Sequence, residues 1–384
     1  MGCLTMRARP TEPKIDAPNV GIVTWHCLLN VGSNLQAYGL FSSIEKLGYR
    51  ASFINYRKPY QKENPVIAKA KDLLSYAADA HPRLLPPRLH YGARSFQRQL
   101  FRQTGVAYYE EDLAPYSASF DVYVSGSDQI WSPKRFNPVF MLSFVANGKP
   151  KMSYATSVGT ESIPDELKSQ YKELLSDYLH LSVREDNASE YLSDLLGRDV
   201  LHVLDPCFLL EGTEWRTLEK PLGTPQRYVF CYLIGKSKKY RRDIVELAKK
   251  TGLQVIAYTE DPADSEWANT HHSRLDPREF IYLARNAEMV MTDSYHGMVF
   301  SLIFEKQFVP FLRFSRVDAK NENSRVLSLL RWISLTGSLV DEETPADAPR
   351  IDYATVSTRL SVLKDKSREY LESSLADCLE KSNA

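Results

Sequence analysis

Short apolar runs that end in polar residues and lead into amphipathic helices recur along this chain, and this alternation most restricts its fold. Residues 20–24 form the first such run. A polar loop and a stretch with apolar residues at helical spacing follow. Gly48 stands where a helix ends, and residues 51–55 form the next apolar run. Two strands joined through a helix in this way favour parallel pairing.

The same scheme continues to residue 311. Further strands are predicted at 121–125, 151–155, 180–183 and 202–204, and each runs into small or polar residues. In the second half, strands are predicted at 227–234 and 254–258, with a helix at 237–250 between them. Asp276 is predicted to cap another helix, because Pro277 would lie in its first turn and Glu279 stands three residues after the cap. The pattern predicts an α/β protein with doubly wound parallel sheets and one functional edge.

A chain of 384 residues is long for one core, so two domains are expected. Residues 60–115 are basic and interrupted by prolines, and predict helices joined by an irregular loop. The predicted organisation is a disordered leader (1–18), an N-terminal Rossmann-like domain (19–210), a linker (211–225), a C-terminal Rossmann-like domain (226–345) and a helix that packs back (350–384).

Composition restricts the partners. Lys+Arg and Asp+Glu each number 48, so the chain has no overall positive field to attract nucleic acid, and no nucleic-acid partner is expected. The five cysteines are scattered without metal-ligand spacing, which predicts no metal site and a reducing, cytoplasmic location. No apolar run is long enough to span a membrane, so any membrane contact is expected to be transient and at the surface.

The strongest candidate for chemistry is His296. An apolar run at 289–291 stops at a polar loop containing Thr292, Asp293 and Ser294, and a helix is predicted to start at His296 and Gly297. Ligands collect where strands end and helices begin, because helix starts offer unpaired N–H groups to anions. We interpret His296 as the reactive group of a transferase with a phosphorylated donor. The alternative is a histidine that only completes a helix terminus.

Arg184 follows another predicted strand, in the segment SVRED. Its place at the functional edge suggests a clamp for phosphate or carboxylate, although an Arg followed by two acidic residues also suits a surface ion pair.

Two polar loops are further candidates, as the binding loops for an acceptor or donor. Neither a GxGxxG fingerprint nor a Walker loop is present. Trp131, next to the second loop, could stack on a sugar face or belong to the core. The candidate loop residues are Asn30, Gly32, Asn34 and Gln36 in the first loop, and Gly126, Ser127, Asp128 and Gln129 in the second.

Taken together, several segments resemble the polysaccharide pyruvyl transferase family. They are VGIVTWHCLLNVGSNLQAYGLFSSIEKLGY, VYVSGSDQIW, LSVRED, VLDPCFLL, MTDSYHGMVFSLIFEKQFVPF and NSRVLSLL. The resemblance implies two Rossmann-like domains facing across a cleft, as in GT-B glycosyltransferases. It also implies phosphoenolpyruvate as the donor substrate, no further cofactor, and a sugar diol of a glycan or lipid-linked oligosaccharide as the acceptor. The product would be a cyclic pyruvate ketal on a cell-surface polysaccharide precursor.

The resemblance also assigns residues. The family's histidine in its HG motif corresponds to His296, and its strand-end arginine looks like Arg184. Ser294, Tyr295 and Gly297 then belong to the donor-binding segment. Family members often carry an arginine two residues before the histidine, where this chain has Ser294. Candidate replacements for that cation are Arg313, Arg316 and Arg325.

Two rival functions stay open from the sequence. The GT-B architecture and the missing arginine at Ser294 also suit a glycosyltransferase that uses a nucleotide sugar. A non-catalytic glycan-binding protein is the third hypothesis.

Overall fold

Two parallel sheets, one in each half of the chain, form the framework of the protein. The structure is a computed structural model that describes residues 16–57, 70, 74, 92–315, 322–344 and 350–382. All four strands of the main N-terminal sheet are parallel, in the order β2-β1-β3-β4. These strands are β1 (Asn19–Val23), β2 (Arg50–Phe53), β3 (Val122–Ser125) and β4 (Lys151–Ser153).

The N-terminal sheet extends beyond β4. A short parallel pair consists of β5 (Ser182–Val183) and β6 (Leu201–His202), and bridges from Met152 to His180 and from Thr156 to Val183 join it to the main sheet. Among the described residues, the α-helices of this half include α1 (Val31–Lys46), α2 (Gly92–Leu100), α3 (Asp165–Leu175) and α4 (Asp186–Leu196).

The C-terminal sheet has five parallel strands in the order β11-β10-β7-β8-β9. They are β7 (Tyr228–Tyr232), β8 (Gln254–Tyr258), β9 (Thr270–His272), β10 (Met289–Thr292) and β11 (Gln307–Pro310). The helices are α5 (Gly212–Arg216), α6 (Lys238–Thr251), α7 (Pro277–Asn286), α8 (Tyr295–Ile303), α9 (Ser324–Trp332) and α10 (Tyr353–Ser382). The prediction of an α/β protein with two Rossmann-like sheets is confirmed.

Helix termini follow local chemistry. Asp276 accepts a hydrogen bond from the backbone N–H of Arg278 and forms a capping box with Glu279, as predicted. Gly197 and Gly252 end α4 and α6 with φ of 66° and 68°, which glycine adopts without strain. Asp186 is the first residue of α4, and Glu185 precedes it as an N-cap residue without a side-chain capping bond.

Two elements were not foreseen. β9 contains Thr270, His271 and His272, which form no apolar run, and it lies half-buried at the edge of its sheet. The segment predicted as a linker contains α5, and Trp215 of that helix is fully buried.

An apolar cluster joins the two halves. The ring of Trp215 lies 5.6 Å from Tyr38 of α1 and 5.1 Å from Phe300 of α8, measured between ring centroids. Phe280 of α7 packs on Phe300 at 5.6 Å. Because one hydrophobic cluster includes residues of both halves, apolar packing holds them together in this arrangement.

Helix α10 returns from the second half to the first sheet. Tyr370 donates to the carbonyl of Ser153 at 2.8 Å, and Ser367 accepts from the N–H of Leu204 at 2.9 Å. None of the helices within the described ranges is both long and apolar enough to cross a membrane. Most of the predicted leader, and residues 60–69, 71–73 and 75–91 of the proline-interrupted segment, lie outside the described residues.

Candidate active site between the two halves

The first turns of α1 and α8 meet at the centre of the molecule. α1 follows β1 and α8 follows β10, so both helices begin at the carboxyl edge of their sheet. A Cβ atom built on Gly32 would lie 2.2 Å from Nδ1 of His296, so the imidazole rests directly against the Gly32 backbone. Only glycine allows this approach. Both helix starts add positive partial charge to the same place.

His296 is nearly buried, with 6% of its surface exposed. Its Nε2 lies 3.5 Å from Oδ2 of Asp205 and has no hydrogen-bond partner. The imidazole therefore lies among charged groups rather than in apolar packing, and one buried nitrogen is left without a hydrogen bond.

Arg184 from the first half reaches the same carboxylate. Its Nη1 lies 2.5 Å from Oδ2 of Asp205, while its Nε and Nη2 have no hydrogen-bond partner. Arg184 is 2% exposed and Asp205 is fully buried. Burial favours the neutral form of Asp205, but contacts with His296 and Arg184 outweigh it and hold the pKa of this carboxyl well below its usual range. The structure thus brings Arg184 and His296 together through Asp205.

A second buried arginine lies near the first. The guanidinium carbons of Arg184 and Arg325 lie 4.5 Å and 5.8 Å from the ring centroid of Tyr295. Arg325 is 8% exposed, and its Nε has no hydrogen-bond partner. Burial, together with repulsion from Arg184 and Arg313, lowers the pKa of Arg325 to about 10. Two crowded guanidinium groups with free donors form a site that an anion would stabilise.

Asp128 is the member of the second polar loop that reaches this centre. It accepts from Ser33 Oγ at 2.6 Å and from the N–H of Gln129 at 2.9 Å, and lies 3.8 Å from Nη2 of Arg184. Its φ of 79° is strained for a residue other than glycine. Burial opposes ionisation of Asp128, but Arg184 and His296 lower its pKa overall.

Two other predicted residues of that loop, Gly126 and Ser127, support the sheet. Ser127 donates to the carbonyl of Ala155 at 2.7 Å, and a Cβ on Gly126 would lie 3.1 Å from Thr24. Trp131 is fully buried, and its Nε1 donates to Ser125 Oγ at 3.0 Å and to the carbonyl of Phe140 at 3.1 Å. Of the two interpretations of Trp131, the structure supports the core residue.

The amides of the first polar loop hold its backbone. Asn30 accepts from the N–H of Ser33 at 3.0 Å and caps α1. Asn34 donates to the carbonyl of Leu28 at 2.8 Å, and Gln36 donates to Thr24 Oγ1 at 3.1 Å. Asn34 and Gln36 are fully buried, so they fix the turn that presents Gly32 to His296.

The polar residues before His296 also have structural partners. Asp293 accepts from the N–H groups of Ile234 and Gly235, both at 2.7 Å, and burial raises the pKa of its carboxyl. Thr292 donates to the carbonyl of Tyr232 at 2.6 Å and accepts from the N–H of Ser294 at 3.0 Å. The cluster of polar residues before His296, which suggested a reactive loop, therefore makes the hydrogen bonds that hold the loop in shape.

Gly297 lies in the first turn of α8 and packs against that loop. A Cβ on Gly297 would lie 2.3 Å from Thr292 Oγ1, so α8 can approach β10 this closely only without a side chain there.

The carboxylate of Glu322 lies near three further cations at the boundary between the halves. Its carboxylate lies 3.3 Å from Lys134, 3.6 Å from Arg135 and 3.8 Å from Arg313, and accepts from Gln129 Nε2 at 3.2 Å. Of the three candidate replacement cations, Arg313 is paired with Glu322, Arg325 lies beside Tyr295, and Arg316 falls outside the described residues.

Asp205, Cys207 and His296 each place one potential metal-ligand atom within 4.8 Å of the others. The spacing suits a metal ion, but Arg184 already occupies Oδ2 of Asp205. Burial also raises the pKa of the Cys207 thiol well above its usual range, which disfavours the thiolate that a metal requires. These charges favour an anion over a cation here.

Sequence reasoning did not identify Asp205 and Glu322 as site residues. A usable signal existed for Asp205, which stands three residues after β6 in the segment LDP and so at the same sheet edge as Arg184. Glu322 carried no comparable signal, because it does not follow a strand and lies two residues before the start of α9.

Comparison with known proteins adds a family and a fold. The family model described as polysaccharide pyruvyl transferase matches residues 30–313. No curated protein matches the chain.

Solved structures are similar across nearly the whole chain. UDP-N-acetylglucosamine 2-epimerase from Rickettsia bellii is 11% identical, with a TM-score of 0.50, and the alignment covers 93% of this chain and 96% of that one. The 2-epimerase from Neisseria meningitidis is 11% identical with a TM-score of 0.47, covering 92% of each chain. A heptosyltransferase from E. coli is 9% identical with a TM-score of 0.40, covering 90% of this chain and 99% of that one. At these identities the similarity to the Rickettsia bellii enzyme shows the shared GT-B-like fold alone.

Proposed function

Because this chain belongs to the polysaccharide pyruvyl transferase family, we propose that it moves a pyruvyl group from phosphoenolpyruvate to two hydroxyls of a sugar, forming a cyclic ketal. The acceptor would be a glycan or lipid-linked oligosaccharide that serves as a cell-surface polysaccharide precursor. The reaction would take place in the cytoplasm and need no cofactor besides the donor substrate.

The observation that carries the proposal is the pair of buried guanidinium groups, Arg184 and Arg325, around Tyr295 and next to His296. Phosphoenolpyruvate has a carboxylate and a phosphate, and each needs cationic or N–H donors when it leaves water. Arg184 has Nε and Nη2 free of hydrogen bonds, and Arg325 has Nε free. Ser294 precedes α8 as its N-cap residue, but its side chain makes no capping bond, so the N–H groups of the first turn of α8 can serve the same anion.

Arg325 is the proposed substitute for the arginine that family members often carry at the position of Ser294. It reaches the ring of Tyr295 from α9, whereas Ser294 directly precedes that tyrosine in the sequence. A cation on α9 could thus serve the donor without a cation in the loop. Arg313 is the weaker candidate because Glu322 already pairs with it.

The chemistry follows from the donor. A proton delivered by Nε2 of His296 to the methylene carbon C3 makes C2 electrophilic, and one sugar hydroxyl forms a bond to C2. The bond between C2 and the phosphate oxygen then breaks, and a second hydroxyl closes the ketal on C2. Of the two hydroxyl protons, one replaces the proton given to C3 and one leaves with inorganic phosphate. The guanidinium groups would stabilise the departing phosphate.

The burial of these groups has a further consequence. His296, Arg184 and Arg325 are each less than a tenth exposed, so the structure is in a closed arrangement. We expect the substrates to enter when the two halves separate, with closure removing water around the developing charge.

The test is transfer of ¹⁴C-labelled pyruvyl groups from phosphoenolpyruvate to a panel of glycan and lipid-linked acceptors, with phosphate release measured in parallel. We expect transfer by the wild type, a loss of about a hundredfold or more in His296→Gln, and a raised KM for phosphoenolpyruvate in Arg325→Gln. His272→Gln, on the edge strand β9, is the matched histidine control and should retain activity.

Equal rates in the wild type and His296→Gln across all acceptors would contradict the proposal. A thermal shift on titration separates the rivals. Stabilisation by nucleoside diphosphates but not by phosphoenolpyruvate would favour a nucleotide-sugar glycosyltransferase. Glycan binding without turnover, unchanged in His296→Gln, would favour a binding protein.

A further inference from the structure

We propose that Asp205 is a positioning residue that holds His296 of the second half and Arg184 of the first half in one reactive arrangement. This inference rests on the proposed function. Oδ2 of Asp205 lies 2.5 Å from Nη1 of Arg184 and 3.5 Å from Nε2 of His296, so one oxygen contacts both groups. Arg184 is separated from His296 by 112 positions in the sequence, and Asp205 provides their shared contact.

The orientation of the Asp205 carboxylate is set by the chain around it. Its Oδ1 accepts from the N–H of Cys207 at 2.9 Å, which leaves Oδ2 for Arg184 and His296. Pro206 starts a short 3₁₀ helix, and its carbonyl lies 2.5 Å from the position of a Cβ on Gly39 of α1. The turn is therefore packed tightly against α1, so the carboxylate direction is fixed before any ligand arrives.

Asp205 differs from the neighbouring carboxylate of Asp128. Asp128 uses one oxygen for Ser33 and the other for the N–H of Gln129, and lies 3.8 Å from Arg184. Asp205 makes the shorter contact with the guanidinium, at 2.5 Å, and lies 3.5 Å from Nε2 of the imidazole, and its side chain is fully buried. A buried carboxylate of fixed direction, 3.5 Å from Nε2, limits how far the imidazole can turn once the two halves are together.

The contact between Asp205 and His296 crosses from one half to the other, so it forms only when the two halves are closed together. Asp205 would thus couple closure to the placement of Nε2. The residue does not need to touch the donor to do this, because it acts through His296 and Arg184.

The experiment is a double-mutant cycle on turnover of phosphoenolpyruvate, using Asp205→Asn, His296→Gln and the double variant. We expect Asp205→Asn to lower kcat about a hundredfold in the wild-type background, with a smaller change in KM for phosphoenolpyruvate. In the His296→Gln background the same change should lower kcat by less than about threefold, because residues that act as a unit are not additive. Equal factors in both backgrounds would overturn the proposal, as would kcat unchanged by Asp205→Asn.

Asp264→Asn is the matched control. Asp264 is also buried and paired with an arginine, Arg241, at 2.5 Å, but it lies in the second half beside α6. We expect kcat of Asp264→Asn within about threefold of the wild type, which separates positioning from the general loss of a buried ion pair. If Asp205→Asn does not fold, Asp205→Glu replaces it in the cycle. Its carboxylate is displaced by one methylene, so kcat should fall while the variant stays folded.

A cycle on unfolding in urea makes the inference testable without turnover. If Asp205 and His296 interact, the double variant should be less destabilised than the sum of the single variants. An absence of turnover in the wild type with every acceptor would refute the proposed function but leave this coupling measurable. Additive unfolding effects together with normal wild-type turnover would refute the role of Asp205 alone.

Discussion

Each half of the molecule places a histidine at a junction between a strand and a helix, and the two histidines have opposite surroundings. His26 follows β1, is fully buried, and stacks on Phe53 with 4.6 Å between ring centroids. Its Nδ1 lies 3.0 Å from the carbonyl of Thr24. His296 follows β10 and contacts the Gly32 backbone and the Asp205 carboxylate.

The difference teaches that position at a sheet edge does not by itself make a histidine functional. Burial lowers the pKa of His26 to about 4, so that ring is neutral at physiological pH and belongs to an aromatic core. His296 lies beside charged groups, Asp205 and Arg184, that belong to the other half of the chain. The two histidines therefore differ in neighbours that are distant in the sequence, and their local positions are alike.

The largest expected effect comes from adding a side chain at Gly32, where the two junctions touch. Gly32→Ala places a Cβ 2.2 Å from Nδ1 of His296, so the ring must move or the halves must stay apart. We expect kcat for pyruvyl transfer to fall about a hundredfold or more, as expected when a catalytic group is misplaced.

Gly337→Ala is the control for that prediction, since nothing lies within 4 Å of a Cβ at Gly337. Its activity should match the wild type. Full activity in Gly32→Ala would show that the contact between the two junctions is dispensable.

A smaller effect tests whether the polar loop before His296 is structural. Asp293→Ala removes the acceptor of two backbone N–H groups, those of Ile234 and Gly235. We expect the free energy of unfolding to fall by about 2–3 kcal/mol, measured in urea. The kcat of the folded variant should stay within about tenfold of the wild type. A loss of activity as large as that of His296→Gln, without loss of stability, would instead assign chemistry to Asp293.

The smallest effect concerns His26 and pH. Its pKa in the folded protein is about 4, below its ordinary value of 6.5, so the unfolded chain binds more protons between these values. Stability should therefore fall as the pH drops from 6.5 towards 4, and His26 should account for about 1–2 kcal/mol of that loss near pH 5.

His26→Phe removes this titration, so its unfolding free energy should fall less steeply with acid than that of the wild type. Urea unfolding at pH 7 and pH 5 measures the difference. Parallel pH profiles for the wild type and His26→Phe would show that His26 is not held neutral by burial.

Local sequence patterns predicted much of the fold. The capping box at Asp276 and the alternation of strands and helices are short-range signals, and the corresponding elements are present. β9 was missed because its sequence, Thr-His-His, has no apolar periodicity and pairing with β8 defines it.

The candidate site was less accessible to sequence reasoning. Arg184 and His296 were each proposed from local context, and the structure places them around one carboxylate. Asp205 was overlooked because its partners lie 21 and 91 positions away in the sequence. Asp293 stood out because it lies three residues before His296 in a polar loop, yet its side chain accepts hydrogen bonds from the loop after β7.

The most direct test is a crystal structure of the protein with phosphoenolpyruvate bound. The proposed function predicts that the anionic groups of the donor contact the guanidinium groups of Arg184 and Arg325, with C3 next to Nε2 of His296. Phosphoenolpyruvate bound away from this cluster, or a nucleotide occupying it in preference to phosphoenolpyruvate, would contradict the account.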